Sequence, residues 1–116
     1  MDKIRIHGLL VRCIIGAFLK ERDHKQDVVF DLTLHTDTRP AARSDVLEDA
    51  IDYKALRNRI VEFAEQSTFH LLEGLAQAVA DICLEDERVQ RVDVCVHKPG
   101  ALTYARDVTV EITRSR

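Results

Sequence analysis

The pattern of apolar and polar positions begins with two extended stretches. Ile4 and Ile6 alternate with polar neighbours until Gly8 interrupts the pattern, and the run at residues 9–15 then continues extended. The next stretch has the clearest alternation, with four apolar residues on one face: Val28, Phe30, Leu32 and Leu34. The first half of the chain therefore predicts two β-strands, the second with one buried and one polar face.

The spacing then becomes helical. A first helix is predicted from Asp52, which is a suitable N-cap residue. Its apolar stripe contains Tyr53, Leu56, Ile60 and Phe63. A second helix is predicted to begin near residues 67–69 and to end around the charged cluster at 85–88. Its stripe contains Leu72, Leu75, Val79 and Ile82.

The last third returns to the two-residue period of strands. The apolar positions are Val92, Val94 and Val96, followed after a turn by Val108, Val110 and Ile112. The turn contains Pro99 and Gly100. The predicted order is therefore ββααββ, an α+β subunit with a four-stranded antiparallel sheet and two helices.

Two helices cover only one face of such a sheet. We expect the other face, which carries Asp31, Thr33 and His35, to lie open to water, and both sheet edges to remain unpaired. Exposed edges are an aggregation hazard that closure into a barrel removes. Copies joined edge to edge would form a barrel with a polar central tunnel and the helices outside.

Composition narrows the classes of protein that remain. The 116 residues fit one domain, predicted to span residues 1–116. With 17 basic and 20 acidic residues the net charge is -3, so we do not expect a nucleic acid partner. There is no apolar stretch of signal-peptide or membrane-spanning length, which predicts a cytoplasmic protein without a membrane partner.

Cysteines and histidines do not predict a metal site. The three cysteines, Cys13, Cys83 and Cys95, are widely spaced and odd in number, so we expect them to be reduced and mostly buried. The five histidines lack the short spacings of zinc motifs.

Four polar residues next to structural breaks are candidates for chemistry: Glu21, Tyr53, Glu73 and Lys98. Taken singly, each has an ordinary interpretation. Glu21 and Lys98 are solvated loop or turn residues, and Tyr53 is a core tyrosine with its hydroxyl near the surface. Glu73 is a surface residue that stabilises the helix dipole.

Each of the four lies in a longer segment, and the segments occur at particular intervals. They are Ile15-Gly16-Ala17 with Glu21, Ser44-Asp45 leading to Asp52-Tyr53, Leu71-Leu72-Glu73, and Lys98-Pro99-Gly100-Ala101. Together they resemble the dihydroneopterin aldolase family over nearly the whole chain. The resemblance implies the tunnelling fold, in which ββααββ subunits form a ring of four, often stacked into an octamer, with sites between neighbouring subunits.

The resemblance also implies an activity, the retro-aldol cleavage of 7,8-dihydroneopterin in folate biosynthesis. Such an aldehyde-lyase needs no cofactor, metal or lysine Schiff base, because the substrate's own imine accepts the electrons. Lys98, Tyr53 and Glu21 would be catalytic, with Lys98 an acid/base near N5 and Tyr53 reaching the site from the adjacent subunit. Glu73 would anchor the pterin, with a backbone group near Leu72, and Glu21 and Tyr53 would also contact substrate.

Two further interpretations remain open from the sequence. One is dihydroneopterin triphosphate 2'-epimerase, whose family pattern resembles Gln26-Asp27-Val28 and Leu102-Thr103-Tyr104-Ala105. Cations that would favour a triphosphate are Arg43, Arg57 and Arg106. The other is a non-catalytic pterin-binding subunit, for which Glu73 alone would suffice.

Overall fold

The strands form one antiparallel sheet in which each strand pairs with its sequence neighbour. The computed structural model describes all 116 residues, Met1–Arg116. The strands, in the spatial order β1-β2-β3-β4, are β1 (Asp2–Cys13), β2 (Gln26–Thr36), β3 (Arg91–Pro99) and β4 (Asp107–Ser115). The predicted four-stranded antiparallel sheet is confirmed, and β1 and β4 are its two edges.

Three α-helices lie between β2 and β3: α1 (Arg39–Ser44), α2 (Tyr53–Glu65) and α3 (Leu72–Cys83). The sequence predicted α2 and α3 but not α1. Because α1 is only six residues long and buries none of them, it has no apolar stripe that a periodicity argument detects. Two short 3₁₀ turns, Leu19–Glu21 and Leu47–Asp49, complete the connections.

The start of α2 is the one predicted. The Asp52 carboxylate accepts a hydrogen bond from the Ala55 backbone N–H at 3.0 Å, which is the N-cap interaction expected of an aspartate in that position.

The predicted start of α3 is wrong. The helix begins at Leu72, not near residues 67–69, and Leu71 before it is extended, with φ -122° and ψ 144°. The carbonyl groups of Thr68 and Phe69 accept hydrogen bonds from the Arg22 side chain. A tertiary interaction therefore replaces the first helical turn that the sequence pattern suggested.

The interruption predicted at Gly8 is an irregularity in β1. Pairing between β1 and β2 shifts between Ile6 and Leu9, and Gly8 has φ +66°. Its N–H donates to the carboxylate of Asp31 on β2 at 2.8 Å. The glycine thus permits a left-handed backbone and supplies a donor to the polar face of the sheet.

The core lies between one face of the sheet and helices α2 and α3. All four alternating apolar residues predicted for β2 are at most 1% exposed, as are Val92, Val94 and Val96 on β3. From α2 and α3, Ile60, Leu75 and Val79 pack in the same cluster. Burial of aliphatic side chains such as these stabilises the fold by roughly 1.5–3 kcal/mol each.

The opposite face carries polar residues, as predicted, although hydrogen bonding leaves them half-buried. His97 on β3 donates from Nε2 to Asp31 at 2.7 Å and from Nδ1 to Asp107 at 2.9 Å. Only the imidazolium form has two N–H donors. The Asp107 and Asp31 carboxylates raise the pKa of His97, against a smaller opposing effect of burial. Together with the hydrogen bond from the Gly8 N–H to Asp31, the two contacts of His97 connect all four strands across the polar face.

All three cysteines are free. Cys13 and Cys83 are buried in the core as expected, whereas Cys95 is half-buried on the polar face. No helix in the structure combines the length and the hydropathy needed to cross a membrane.

Candidate active site

Three of the four candidate polar residues lie in one pocket of about 370 Å³. Glu21 comes from the loop after β1, Glu73 from the first turn of α3, and Lys98 from the end of β3. Leu72, named as a possible backbone contact, also lines the pocket. One chain therefore brings together residues that are widely separated in sequence.

Lys98 is buried because of its place in the strand. Residues two apart on a strand share a face, so Lys98 follows Val94 and Val96 onto the helix-covered side, whereas His97 points to the polar side. Its side chain is only 10% exposed. The interpretation of Lys98, taken singly, as a solvated turn residue is therefore wrong, because β3 continues through Pro99.

The Lys98 ammonium group forms an ion pair with Glu21. Nζ donates to Oε2 at 2.5 Å, and the Glu21 side chain is 18% exposed. Glu21 is thus not the solvated loop residue that its charged neighbours suggested. The hydrogen bond from Lys98 lowers the pKa of Glu21, with a smaller contribution from the backbone N–H of Phe18, so the carboxylate is ionised at neutral pH.

Gly16 makes room for this carboxylate. Its φ is +141°, a backbone conformation that side-chain-bearing residues rarely adopt. A Cβ atom at this position would lie 2.3 Å from the Glu21 carboxylate carbon. The glycine and the glutamate five residues later therefore form one structural unit.

The start of α3 presents both Glu73 and main-chain donors to the pocket. Glu73 is exposed, while Leu72 is buried and fixes the helix start to the core. The N-cap residue, Leu71, has no side-chain hydrogen bond to the helix. N–H groups in the first turn of a helix lack intrahelical partners, so they remain able to bind an acceptor.

Tyr53 does not reach this pocket in its own chain. It is 60% exposed rather than part of the core, and it lines a separate depression of about 520 Å³ with Val46 and Leu47, which are also exposed. That depression is larger, but the Glu21–Lys98 ion pair and Glu73 are in the smaller pocket. We therefore take the smaller one as the candidate site.

The three arginines considered for phosphate binding are all exposed, and none lines the pocket. Arg43 is in α1, Arg57 bonds to its neighbour Asn58 on α2, and Arg106 precedes β4. No group of three or more His, Cys, Asp and Glu side chains is arranged to hold a metal ion.

Comparison with known proteins identifies the family. The sequence model of FolB, dihydroneopterin aldolase, matches residues 4–113. The chain belongs to the dihydroneopterin aldolase family. The resemblance carried by the four sequence segments is thereby confirmed.

Other members of the dihydroneopterin aldolase family resemble the chain over almost their full length. A dihydroneopterin aldolase from Streptomyces coelicolor is 42% identical, with 100% of this chain and 99% of the relative covered. A dihydroneopterin triphosphate 2'-epimerase from Escherichia coli is 34% identical, with 97% and 94% covered. The crystal structure of Escherichia coli dihydroneopterin aldolase in complex with neopterin matches with a TM-score of 0.95 and 34% identity, covering 99% of this chain and 100% of that one.

One residue beside the site of this family member was not identified from the sequence. Arg22 follows Glu21 directly and donates to three main-chain carbonyl groups, that of Gly16 in the pocket lining and those of Thr68 and Phe69 directly before the lining residues 70–73. In the sequence it is one of several charges in a polar run, and only the folded structure shows its contacts.

Proposed function

We propose that this chain is a cytoplasmic dihydroneopterin aldolase of folate biosynthesis. The reaction would split 7,8-dihydroneopterin into 6-hydroxymethyl-7,8-dihydropterin and glycolaldehyde. The main support is the pocket in which Glu73 lies with the Glu21–Lys98 ion pair, in a chain 42% identical to a dihydroneopterin aldolase. These groups suit two tasks, pterin binding and proton transfer.

Glu73 is the proposed pterin anchor. An ionised carboxylate offers two acceptors, which match the adjacent 2-amino and N3–H donors of a pterin. Each charge-assisted bond contributes about 1.5–3 kcal/mol, so Glu73→Ala is expected to weaken binding by several kcal/mol. The backbone near Leu72, at the uncapped start of α3, would bind the neighbouring acceptor edge of the ring.

Glu21 and Lys98 are the proposed acid/base pair. The Glu21 carboxylate would take the proton of the hydroxyl on the second side-chain carbon, and the bond between the first and second side-chain carbons would break. Glycolaldehyde leaves, and the electron pair moves through C6 to N5, where Lys98 supplies a proton directly or through water. Tyr53 would then protonate the resulting enamine at the first side-chain carbon, and N5 would return its proton to Lys98, which restores the imine. The proton held by Glu21 would pass through water to the Tyr53 phenolate, so all three groups end as they began. The step needs no external oxidant or reductant.

The same chemistry gives the reason for a mechanism without metal or Schiff base. The C5–C6 imine of the substrate is already the electron sink that a lysine imine or a metal ion supplies in other aldolases. Lys98 donates to Glu21 at 2.5 Å, which suits a proton donor and charge stabiliser rather than a covalent nucleophile.

Epimerisation of the triphosphate is the second candidate. It is favoured by the 34% identity to an Escherichia coli dihydroneopterin triphosphate 2'-epimerase. In this reaction the phosphorylated glycolaldehyde would recombine with the same enamine through the opposite face of the aldehyde carbon. One site would then perform both reactions. Arg43, Arg57 and Arg106 do not line the pocket of their own chain, so they would meet a triphosphate at the site only as residues of a neighbouring copy.

We further propose that the site is completed by a neighbouring copy in a ring of four or an octamer. Tyr53 lies outside the pocket of its own chain, and it shares an exposed surface with Val46 and Leu47. The unpaired edges of β1 and β4 provide the means of joining copies into a barrel. In such a ring, Tyr53 of one copy would cover the pocket of the next.

Product analysis tests the activity. Purified protein is offered dihydroneopterin and its triphosphate side by side, and we expect 6-hydroxymethyldihydropterin and glycolaldehyde from the first. Lys98→Ala should lower turnover far more than neopterin affinity, whereas Lys25→Ala, an exposed lysine outside the pocket, should change neither. Epimerised product alone would reject the aldolase assignment, and pterin binding without glycolaldehyde release would indicate a non-catalytic subunit.

Mixing variants tests the shared site. Equal amounts of Lys98→Ala and Tyr53→Phe subunits are unfolded and refolded together. About one quarter of neighbouring pairs then combine an intact Lys98 with an intact Tyr53, so the mixture should regain about one quarter of wild-type activity. The control mixes Lys98→Ala with Glu73→Ala, whose sites are in the same pocket of one chain, and should regain none. Equal recovery in both mixtures, or none in either, would contradict a site between copies.

A further inference from the structure

Arg22 connects Gly16, which lines the pocket, to Thr68 and Phe69, which directly precede the lining residues 70–73. Its Nη1 donates to the carbonyl oxygens of Gly16 at 3.1 Å and Phe69 at 2.9 Å, and its Nη2 donates to that of Thr68 at 2.6 Å. All three partners are main-chain carbonyls, and Arg22 itself is half-buried. A half-buried guanidinium that bonds only to main chain is a structural link between segments, not a surface charge.

The first segment that it holds carries Glu21. The Glu21 carboxylate lies against Gly16, and one of its oxygens accepts from the Phe18 N–H at 3.3 Å. Residues 16–22 are therefore a compact loop in which the position of Gly16 determines the position of the Glu21 carboxylate, and with it the contact to Lys98.

The second segment leads to the pterin-binding end. Thr68 and Phe69 come shortly before Leu72, where α3 begins. The Phe69 carbonyl also accepts from the Gly16 N–H at 3.3 Å, so the two segments are joined by backbone as well as by Arg22. The start of α3 is fixed from one side by the core and from the other by this connection.

We propose that Arg22 is a positioning residue that sets the distance between the Glu21–Lys98 pair and the pterin held at Glu73. The inference rests on the proposed function. Errors of about 1 Å in the placement of reacting groups cost on the order of 100-fold in rate. The planar fork of arginine reaches carbonyls of both segments at once, which a lysine with a single nitrogen does less well.

Arg22 acts through geometry rather than through its charge on the reacting groups. The groups that lower the pKa of Glu21 are Lys98, the backbone of Phe18 and Gln26, and Arg22 is not among them. Removal of Arg22 should therefore change the pH dependence only indirectly. Where the loosened loop carries Glu21 away from Lys98, the main cause of its lowered pKa weakens, and the acid limb of the pH–rate profile moves to higher pH.

The test compares Arg22→Met with wild type in the full-length protein. Neopterin fluorescence titration counts intact sites, and kcat is expressed per neopterin-binding site. We expect kcat per site to fall between about 10-fold and 100-fold, neopterin affinity to change less than about 3-fold, and the acid limb of the pH–rate profile to move to higher pH. Arg22→Lys should recover part of kcat, and Arg59→Met, at an exposed arginine paired with Glu85, is the matched control that should change nothing.

Amide hydrogen exchange tests the link independently of activity. In Arg22→Met, exchange should rise in residues 16–22 and 68–71 together and stay unchanged in β3. If wild type does not turn over dihydroneopterin, the proposed function fails while this measurement still decides whether Arg22 joins the segments. An unchanged kcat per site, an unchanged pH profile, or unchanged exchange in either segment would overturn the proposal. If Arg22→Met does not fold, Arg22→Gln undergoes the same measurements.

Discussion

Replacing Gly16 by alanine isolates the placement of the Glu21 carboxylate. The new Cβ would lie 2.3 Å from the carboxylate carbon, and ordinary contact begins at 3.4 Å, so the carboxylate must move by 3.4 - 2.3 = 1.1 Å. If it moves directly away from Lys98, the 2.5 Å bond lengthens to 2.5 + 1.1 = 3.6 Å and is lost. A displacement of this size is expected to lower kcat on the order of 100-fold.

Backbone strain has to be separated from this displacement, and Gly8→Ala provides the control. Gly8 also has a positive φ, +66°, but a Cβ there would meet nothing within 4 Å. Both variants should lose about 1–3 kcal/mol of stability from the backbone conformation, and only Gly16→Ala should lose activity. The assay is kcat for dihydroneopterin cleavage, with thermal unfolding as the measure of stability. Wild-type kcat in Gly16→Ala, or an equal loss in Gly8→Ala, would refute the reasoning.

Two other predictions concern ionisable groups away from the pocket. Asp107 and Asp31 raise the pKa of His97 above its unfolded value of about 6.5. The stability that protonated His97 contributes is therefore fully present below about pH 6.5 and is lost as the pH rises through the pKa of the folded state. Unfolding measured from pH 6 to 9 should show this loss in wild type and a smaller one in His97→Gln; equal slopes would contradict it. Burial raises the pKa of Cys83 to about 12, so mass spectrometry should find it unmodified by iodoacetamide in the native protein at pH 8, and labelling as fast as that of Cys95 would argue against this.

The sheet and the two longer helices were predictable because their side chains carry the period of the structure. The alternation in β2 is uninterrupted, and its apolar residues are the ones the structure buries. The start of α3 was not predictable in the same way. The carbonyls that would begin a helical turn at Thr68 and Phe69 bond instead to Arg22, which is 46 and 47 residues away. A periodicity argument contains no information about such a partner.

The candidate site likewise combines features that the side-chain pattern predicts with features that it does not. The sequence pattern placed Lys98 at the Pro99-Gly100 turn and, taken singly, as a solvated residue, whereas in the structure it continues the buried strand face of Val94 and Val96. The contact between Gly16 and Glu21 follows from a φ angle of +141°, which the glycine permits without specifying. Backbone conformation and main-chain acceptors therefore account for what the side-chain pattern missed.

The exposure of the site gives a physical reason for assembly beyond the edges of the sheet. Glu73 is exposed in a single chain, and a hydrogen bond that competes with water contributes little to binding. The apolar side chains exposed around the other depression, including Leu47 and Tyr53, would exclude water if they covered the pocket of a second copy. We infer that association strengthens the bonds from Glu73 to the pterin and brings Tyr53 to the enamine in the same event. On this view the isolated chain is a folded but incomplete enzyme, and activity should depend on protein concentration below the dissociation constant of the ring.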